Sequence, residues 1–185
     1  LKKKMKIKKT SINDCYIIFP EKKIDNRGSF HRSFCEKTLK KKGINFKIKQ
    51  CNISINKKKN TFRGFHYQIK PYTENKIINV ISGSITNITI DLRKKSKSYL
   101  KKAYNKIDSK DNYSILIPAG CANAFFTLEN NTVIHYYMSA IFEDQNKSKY
   151  QGFRYNDPFF KVKLNDTPRV LSKQDISFEN FKIEK

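Results

Sequence analysis

Lys76-Ile77-Ile78-Asn79-Val80-Ile81 and Ile85-Thr86-Asn87-Ile88-Thr89-Ile90-Asp91-Leu92, parted by Ser82-Gly83-Ser84, decide the fold. Short β-branched runs bounded by turn residues read as strands. The same signal recurs on both sides: Cys15–Phe19, Gly28–Phe34, Phe46–Ser54 and Arg63–Gln68 before it, Tyr113–Ile117, Ala124–Leu128 and Thr132–Ser139 after it. Asn26-Arg27-Gly28, Pro118-Ala119-Gly120 and Glu129-Asn130-Asn131 supply further turns. A single short helix is expected at Cys35–Lys42, stopped by Gly43. Many short strands with little helix predict an all-β chain, a jelly-roll β-sandwich or barrel with a few short helices. No repeat, linker or composition shift divides the 185 residues, so one domain is expected across 1–185. Residues 1–10 read as a basic N-terminal extension and 165–185 as a C-terminal segment.

Composition narrows the function classes. A hydrophobic fraction of 38% and an aromatic fraction of 13% support a packed core in spite of the charge. The net charge of +23 invites a nucleic-acid reading, yet only six of the 39 basic residues are arginines and the lysines are spread along the chain. A solvated lysine surface with no nucleic-acid partner is the expectation, and some positive field suits a phosphorylated substrate. No apolar run approaches the roughly 20 residues that would span a bilayer. The lysine-rich start, Leu1 to Thr10, has no apolar stretch behind it, so a cytoplasmic protein with no membrane partner is expected. Cys15, Cys35, Cys51 and Cys121 show neither CxxC spacing nor a nearby histidine pattern, which predicts reduced thiols and no structural zinc.

Two strands carry a mixed message about their faces. In Phe46–Ser54, Phe46 and Ile48 share a face with Gln50, Asn52 and Ser54. Unpaired amides and hydroxyls are costly in a packed core, so the change from apolar to polar predicts a ligand cavity at that end. In Thr132–Ser139, Ile134, Tyr136 and Met138 lie on one face and Val133, His135 and Tyr137 on the other. Periodicity leaves open which face looks inward, but His135 and Tyr136 cannot point into one site.

Gly64-Phe65-His66-Tyr67-Gln68, then Glu74 and Gly83, resembles the first motif of cupins, and Pro118-Ala119-Gly120-Cys121-Ala122-Asn123 resembles the second. Metal-binding cupins carry histidines where this chain has Gln68 and Asn123. One histidine, one glutamate and two neutral amides are a poor ligand set for a transition metal, so no metal and no cofactor are expected. Side chains must then carry the chemistry. His66 is the prime candidate, because imidazole titrates near neutral pH.

The resemblance then narrows. Asp25-Asn26-Arg27-Gly28-Ser29-Phe30, Gln50-Cys51-Asn52-Ile53-Ser54, Arg63-Gly64-Phe65-His66-Tyr67-Gln68, Lys76, Pro118-Ala119-Gly120, Tyr155-Asn156-Asp157-Pro158 and Leu171-Ser172-Lys173-Gln174-Asp175 follow in order. Together they are similar to the motifs of the dTDP-4-dehydrorhamnose 3,5-epimerase family of metal-free cupins. The resemblance implies epimerisation of a nucleotide-linked 4-keto-6-deoxy sugar at carbons 3 and 5. His66 would be the base, oriented by Asp175, with Tyr136 the acid on the opposite face and Lys76 the donor to the enolate oxygen. Arg27 and Arg63 would hold the diphosphate, and Phe30, Gln50 and Asn52 the nucleotide. A homodimer is implied too, with amino-terminal strands pairing across subunits.

Departures from the family pattern leave alternatives open. Asn123 stands where many relatives have a substrate-contacting histidine, and an amide carries no proton at neutral pH. A family Tyr-Tyr pair past Tyr136 corresponds to Ile141-Phe142, so Phe142 can stack but offers no hydroxyl. The stretch Glu143–Gln151 is longer than usual. These changes fit single-centre epimerisation or a GDP- or CDP-linked sugar. A non-catalytic sugar-nucleotide binder would need Arg27 and Arg63 but neither Tyr136 nor Asp175.

Overall fold

The computed structural model describes residues 5–142 and 150–183. In chain order the described elements are β1 (Lys6–Lys9), β2 (Tyr16–Phe19), β3 (Lys22–Asp25), β4 (Gly28–His31), α1 (Glu36–Lys40), β5 (Gln50–Asn56), β6 (Phe62–Gln68) and β7 (Lys76–Ser82). They continue with β8 (Ser84–Asp91), β9 (Lys102–Asp108), β10 (Ser114–Ile117), β11 (Cys121–Thr127), β12 (Thr132–Met138), β13 (Tyr150–Gly152) and α2 (Lys173–Ser177). Ten antiparallel pairings build a six-stranded sheet, β1-β2-β10-β7-β12-β5, and a five-stranded sheet, β13-β6-β11-β8-β9, with β3 and β4 forming a separate hairpin. This is the all-β jelly roll anticipated from the strand pattern.

Ile17, Ile78, Ile115 and Ile134 from the larger sheet meet Ile85, Ile107, Cys121 and Phe125 from the smaller one in the core between them. The other face of the smaller sheet is buried as well. Phe62, Phe65, Ile88, Ile90, Ala122, Ala124 and Phe126 pack beneath the C-terminal chain, which contributes Phe153 and Phe160 and the flanking Leu171 and Phe181. Residues alternate between these two clusters along β11, which is why all seven of its side chains are buried. The tail carrying α2 is thereby fixed to the sheet that carries His66.

Several boundaries differ from the sequence reading. Residues 6–9 of the expected basic extension form a strand paired with β2. The segment 46–49 is not a strand. Phe46 and Ile48 pack with Leu39 of α1 on the outer side of the larger sheet, so they do not share a face with Gln50 and Asn52. Helix α1 is shorter than expected, five residues with Leu39 as its buried anchor. Strand β3 was missed because all four of its residues are exposed, and β9 because polar residues interrupt its inward pair Ala103 and Ile107. All four cysteines are free thiols, and burial pushes Cys15 up to about 11. Among the described residues no helix is long and apolar enough to cross a membrane.

Candidate active site

A cavity of about 330 Å³ lies between the two sheets at the β5–β13 end. Its polarity starts in β5, where Gln50, Asn52, Ser54 and Asn56 turn inward while Cys51, Ile53 and Ile55 face out. Asn52 and Ser54 line one wall beside Tyr136 and Met138 of the neighbouring β12. The question left open by periodicity is settled: Tyr136 looks in, and His135 packs edge-on against Tyr137 at 4.6 Å on the other face.

His66 and Arg63 both line this cavity although they are three residues apart, a spacing that puts side chains on opposite faces of a regular strand. A bulge resolves the parity. His66 pairs with Asn123 and Arg63 with Phe125, so one extra residue of β6 is accommodated at Gly64-Phe65. Gly64 has φ +130, and a Cβ there would lie 2.5 Å from that of Ala124, so glycine is required where the strands close up. Arg63 Nε donates to Asn56 Oδ1 at 2.9 Å, which holds the guanidinium on the cavity rim.

Asp175 arrives from α2. Ser172 caps this helix, its hydroxyl accepting from the Asp175 backbone N–H at 2.9 Å. The Asp175 carboxylate is buried and contacts His66 Nε2 at 2.6 Å. An ionised carboxylate only accepts, so Nε2 carries the proton and Nδ1 keeps a lone pair for a proton from a ligand. Gly152, paired with His66 in the ladder, leaves room for Phe178, whose ring would meet a Cβ at 2.5 Å. The Phe178 ring lies 5.9 Å from the imidazole, edge-on.

Tyr136 stands on the opposite sheet from His66, near Ser54 and Arg63, and burial raises its phenol well above the ordinary range. Lys76, the first residue of β7, reaches the cavity with its ammonium 2.7 Å from the buried Glu74 carboxylate. Beyond that ion pair, neither Glu74 oxygen finds a hydrogen-bond partner among the described residues. Asn123 is buried next to the base, and its Oδ1 likewise lacks a partner. Unsatisfied buried acceptors at a cavity wall are costly unless a ligand or water meets them.

Of the residues singled out in the sequence, His66, Asp175, Tyr136, Lys76, Asn52, Arg63, Asn123 and Phe142 line this cavity. Gln50 stands behind it, its amide oxygen accepting from the Phe142 backbone N–H at 2.6 Å and its Nε2 donating to Asn52. Arg27 and Phe30 do not line it. They project from the β3–β4 hairpin, Arg27 84% exposed and paired with Asp25 at 2.7 Å. Sequence reasoning gave no cavity role to Ser172, Gln174, Phe125, Met138 or Tyr150. Ser172 had a detectable signal, since Ser-x-x-Asp is a helix-start pattern. Most of the long stretch Glu143–Gln151, residues 143–149, lies outside the described residues. Among the described residues no three His, Cys, Asp or Glu side chains group as a metal site.

An imidazole on one sheet, facing a buried phenol and an ammonium on the other, can exchange protons with one ligand from two walls. Comparison with known proteins points the same way. The sequence model of the dTDP-4-dehydrorhamnose 3,5-epimerase family matches residues 9–182. The chain is 30% identical to such an epimerase of Sinorhizobium fredii over 168 residues, 90% of this chain and 85% of the relative. The crystal structure of the Bacillus anthracis enzyme, with TDP and PPi bound, superposes with a TM-score of 0.91 at 27% identity, covering 96% of this chain and 99% of that one. The Legionella pneumophila enzyme in complex with dTDP-4-keto-L-rhamnose gives 0.87 at 25% identity, covering 95% and 92%.

Proposed function

The chain belongs to the dTDP-4-dehydrorhamnose 3,5-epimerase family and is an isomerase, and from this premise we propose that it inverts carbons 3 and 5 of dTDP-4-dehydro-6-deoxy-D-glucose to give dTDP-4-dehydro-L-rhamnose. The observation that carries the reading is the placement of His66 and Tyr136 on opposing sheets across one cavity. Carbons 3 and 5 both flank the C4 ketone, so a proton on either is acidic. His66 Nδ1 removes it, and the Asp175 carboxylate stabilises the resulting imidazolium. Charge moves to the C4 oxygen, where the Lys76 ammonium meets it. Tyr136 returns a proton from the other face. Its raised pKa keeps the phenol protonated until the enolate demands it. Each inversion leaves His66 protonated and Tyr136 deprotonated, and exchange with solvent resets both before the second carbon reacts. No cofactor enters this scheme.

Arg63, at the cavity rim, takes the diphosphate, and Asn52 and Gln50 help seat the nucleotide. Arg27 and Phe30 extend that contact when two copies associate. The hairpin bearing them presents Ile24 at 75% and Phe30 at 70% exposure, and the outer face beside β5 presents Ile53 at 67% and Ile55 at 66%. Apolar surface of this kind suits a second copy of the chain. Asn123 favours one second reading, inversion at a single carbon, because an amide beside the base hydrogen-bonds but does not relay a proton. Proton NMR with the dTDP-4-keto-6-deoxyglucose substrate in deuterated water tests both. Deuterium at carbons 3 and 5 is expected. Deuterium at one carbon alone selects the second reading, and no incorporation at all overturns the assignment of substrate.

A further inference from the structure

Tyr150 is a hydroxyl-bearing side chain in the cavity that no motif accounts for. It enters from β13, where it pairs with Gln68 while Gly152, two residues on, pairs with His66. Its ring centroid lies 4.9 Å from the His66 imidazole and 5.0 Å from the Phe142 ring, so it fills the space between the base and the cavity wall. Burial foremost, then the negative charges of Asp175 and Glu74 and the Tyr136 phenol, raise its pKa well above that of a free phenol. The group is therefore a hydrogen-bond donor at working pH and not a base. The side chain lines the cavity beside His66 and Phe142, within reach of a ligand held there.

Two features say what that donor meets. Tyr150 from β13 and Lys76 from β7, whose ammonium is held by Glu74, line the same cavity, so phenol and ammonium face one ligand space from different strands. And Phe142, which offers a ring but no hydroxyl, meets the Tyr150 ring edge-on. We propose that Tyr150 is a catalytic residue of this chain, its hydroxyl donating a second hydrogen bond, beside Lys76, to the C4 oxygen as negative charge develops there. The proposal rests on the epimerase reading above. A donor aimed at a developing oxyanion acts in the transition state more than in the ground state, so its loss lowers kcat and leaves KM largely unchanged. A ring that only packed against His66 would behave otherwise, since phenylalanine keeps that packing.

The test is Tyr150→Phe in the full chain, assayed by steady-state kinetics and by deuterium incorporation, with dTDP binding measured calorimetrically. The expected result is a kcat about 10- to 100-fold below wild type, with KM and dTDP affinity within about twofold. Tyr150→Leu, which removes the ring as well, should fall further. Wild-type kcat in Tyr150→Phe overturns the proposal, as does a rise in KM alone, which would mark a ground-state contact. If the unaltered protein incorporates no deuterium, the epimerase reading fails and this proposal with it. Activity in the wild type and an unaffected Tyr150→Phe would sink the Tyr150 claim alone.

Discussion

The His66 corner of the cavity and the β3–β4 hairpin both carry proposed site residues, yet they are built in opposite ways. Around His66 the groups are braced: Asp175 by the Ser172 cap, Arg63 by Asn56, Phe142 by Gln50, and the sheet beneath by the apolar layer under the C-terminal tail, with the Asn123 amide oxygen the exception. On the hairpin, Arg27 pairs with its neighbour Asp25, and Phe30 faces solvent. The contrast separates two tasks. Proton transfer tolerates little positional error, so on the proposed reading its residues are the ones that a single chain's core fixes. On the proposed reading, substrate grip by Arg27 and Phe30 falls to an exposed element that a second copy of the chain would complete.

The comparison breaks first at Asp175. Asp175→Asn presents an amide to Nε2, which supports the wrong tautomer of His66, and kcat is expected to fall on the order of 10³-fold with dTDP affinity unchanged. Retained activity would mean that the carboxylate only packs. Arg27→Ala should act on the other side of the contrast. KM is expected to rise roughly tenfold while kcat and Tm hold, because an exposed ion pair contributes little to stability. An unchanged KM would leave the hairpin without a part in substrate binding.

A third carboxylate sharpens the distinction between braced for chemistry and braced for stability. Asp91 is fully buried at the far end of β8. Burial alone would raise its pKa, but the Arg93 guanidinium and the Ser96 and Ser98 hydroxyls outweigh that and hold it at about 2. Its folded pKa is depressed, so its contribution is complete above about pH 4 and is lost as pH falls toward 2, on the order of 2 kcal/mol in all. Asp91→Asn should therefore lower Tm at neutral pH and flatten the acid side of the stability profile, with kcat unaltered. A variant that keeps the wild-type acid transition would assign that transition elsewhere.

The contrast between the two regions also sets what was legible in the sequence. Both carried recognisable motifs, Asp25–Phe30 in one and Arg63–Gln68 in the other, because each uses fixed spacing along one stretch of chain. The jelly roll was readable from β-branched runs such as β7 and β8, whose inward residues alternate against a core. Strand β3 was not, because exposed residues carry no burial pattern. Nor did spacing show that Arg63 and His66 share a face, since the bulge at Gly64-Phe65 reverses the parity that periodicity assumes. Asp175 was identifiable only by resemblance: 109 residues separate it from His66, and tertiary packing of the tail brings them together. Tyr150 had no signal at all, because its place beside the base is set by β13 pairing with β6.

The central claim, that protons leave one face and return to the other, is tested most directly by following deuterium and configuration together in His66→Ala and Tyr136→Phe. In deuterated water, Tyr136→Phe should place deuterium at the α-carbons with the original configuration retained, because His66 still removes and returns the proton on its own side. His66→Ala should incorporate none. Wild-type inversion in Tyr136→Phe, or normal exchange in His66→Ala, would contradict the two-wall account.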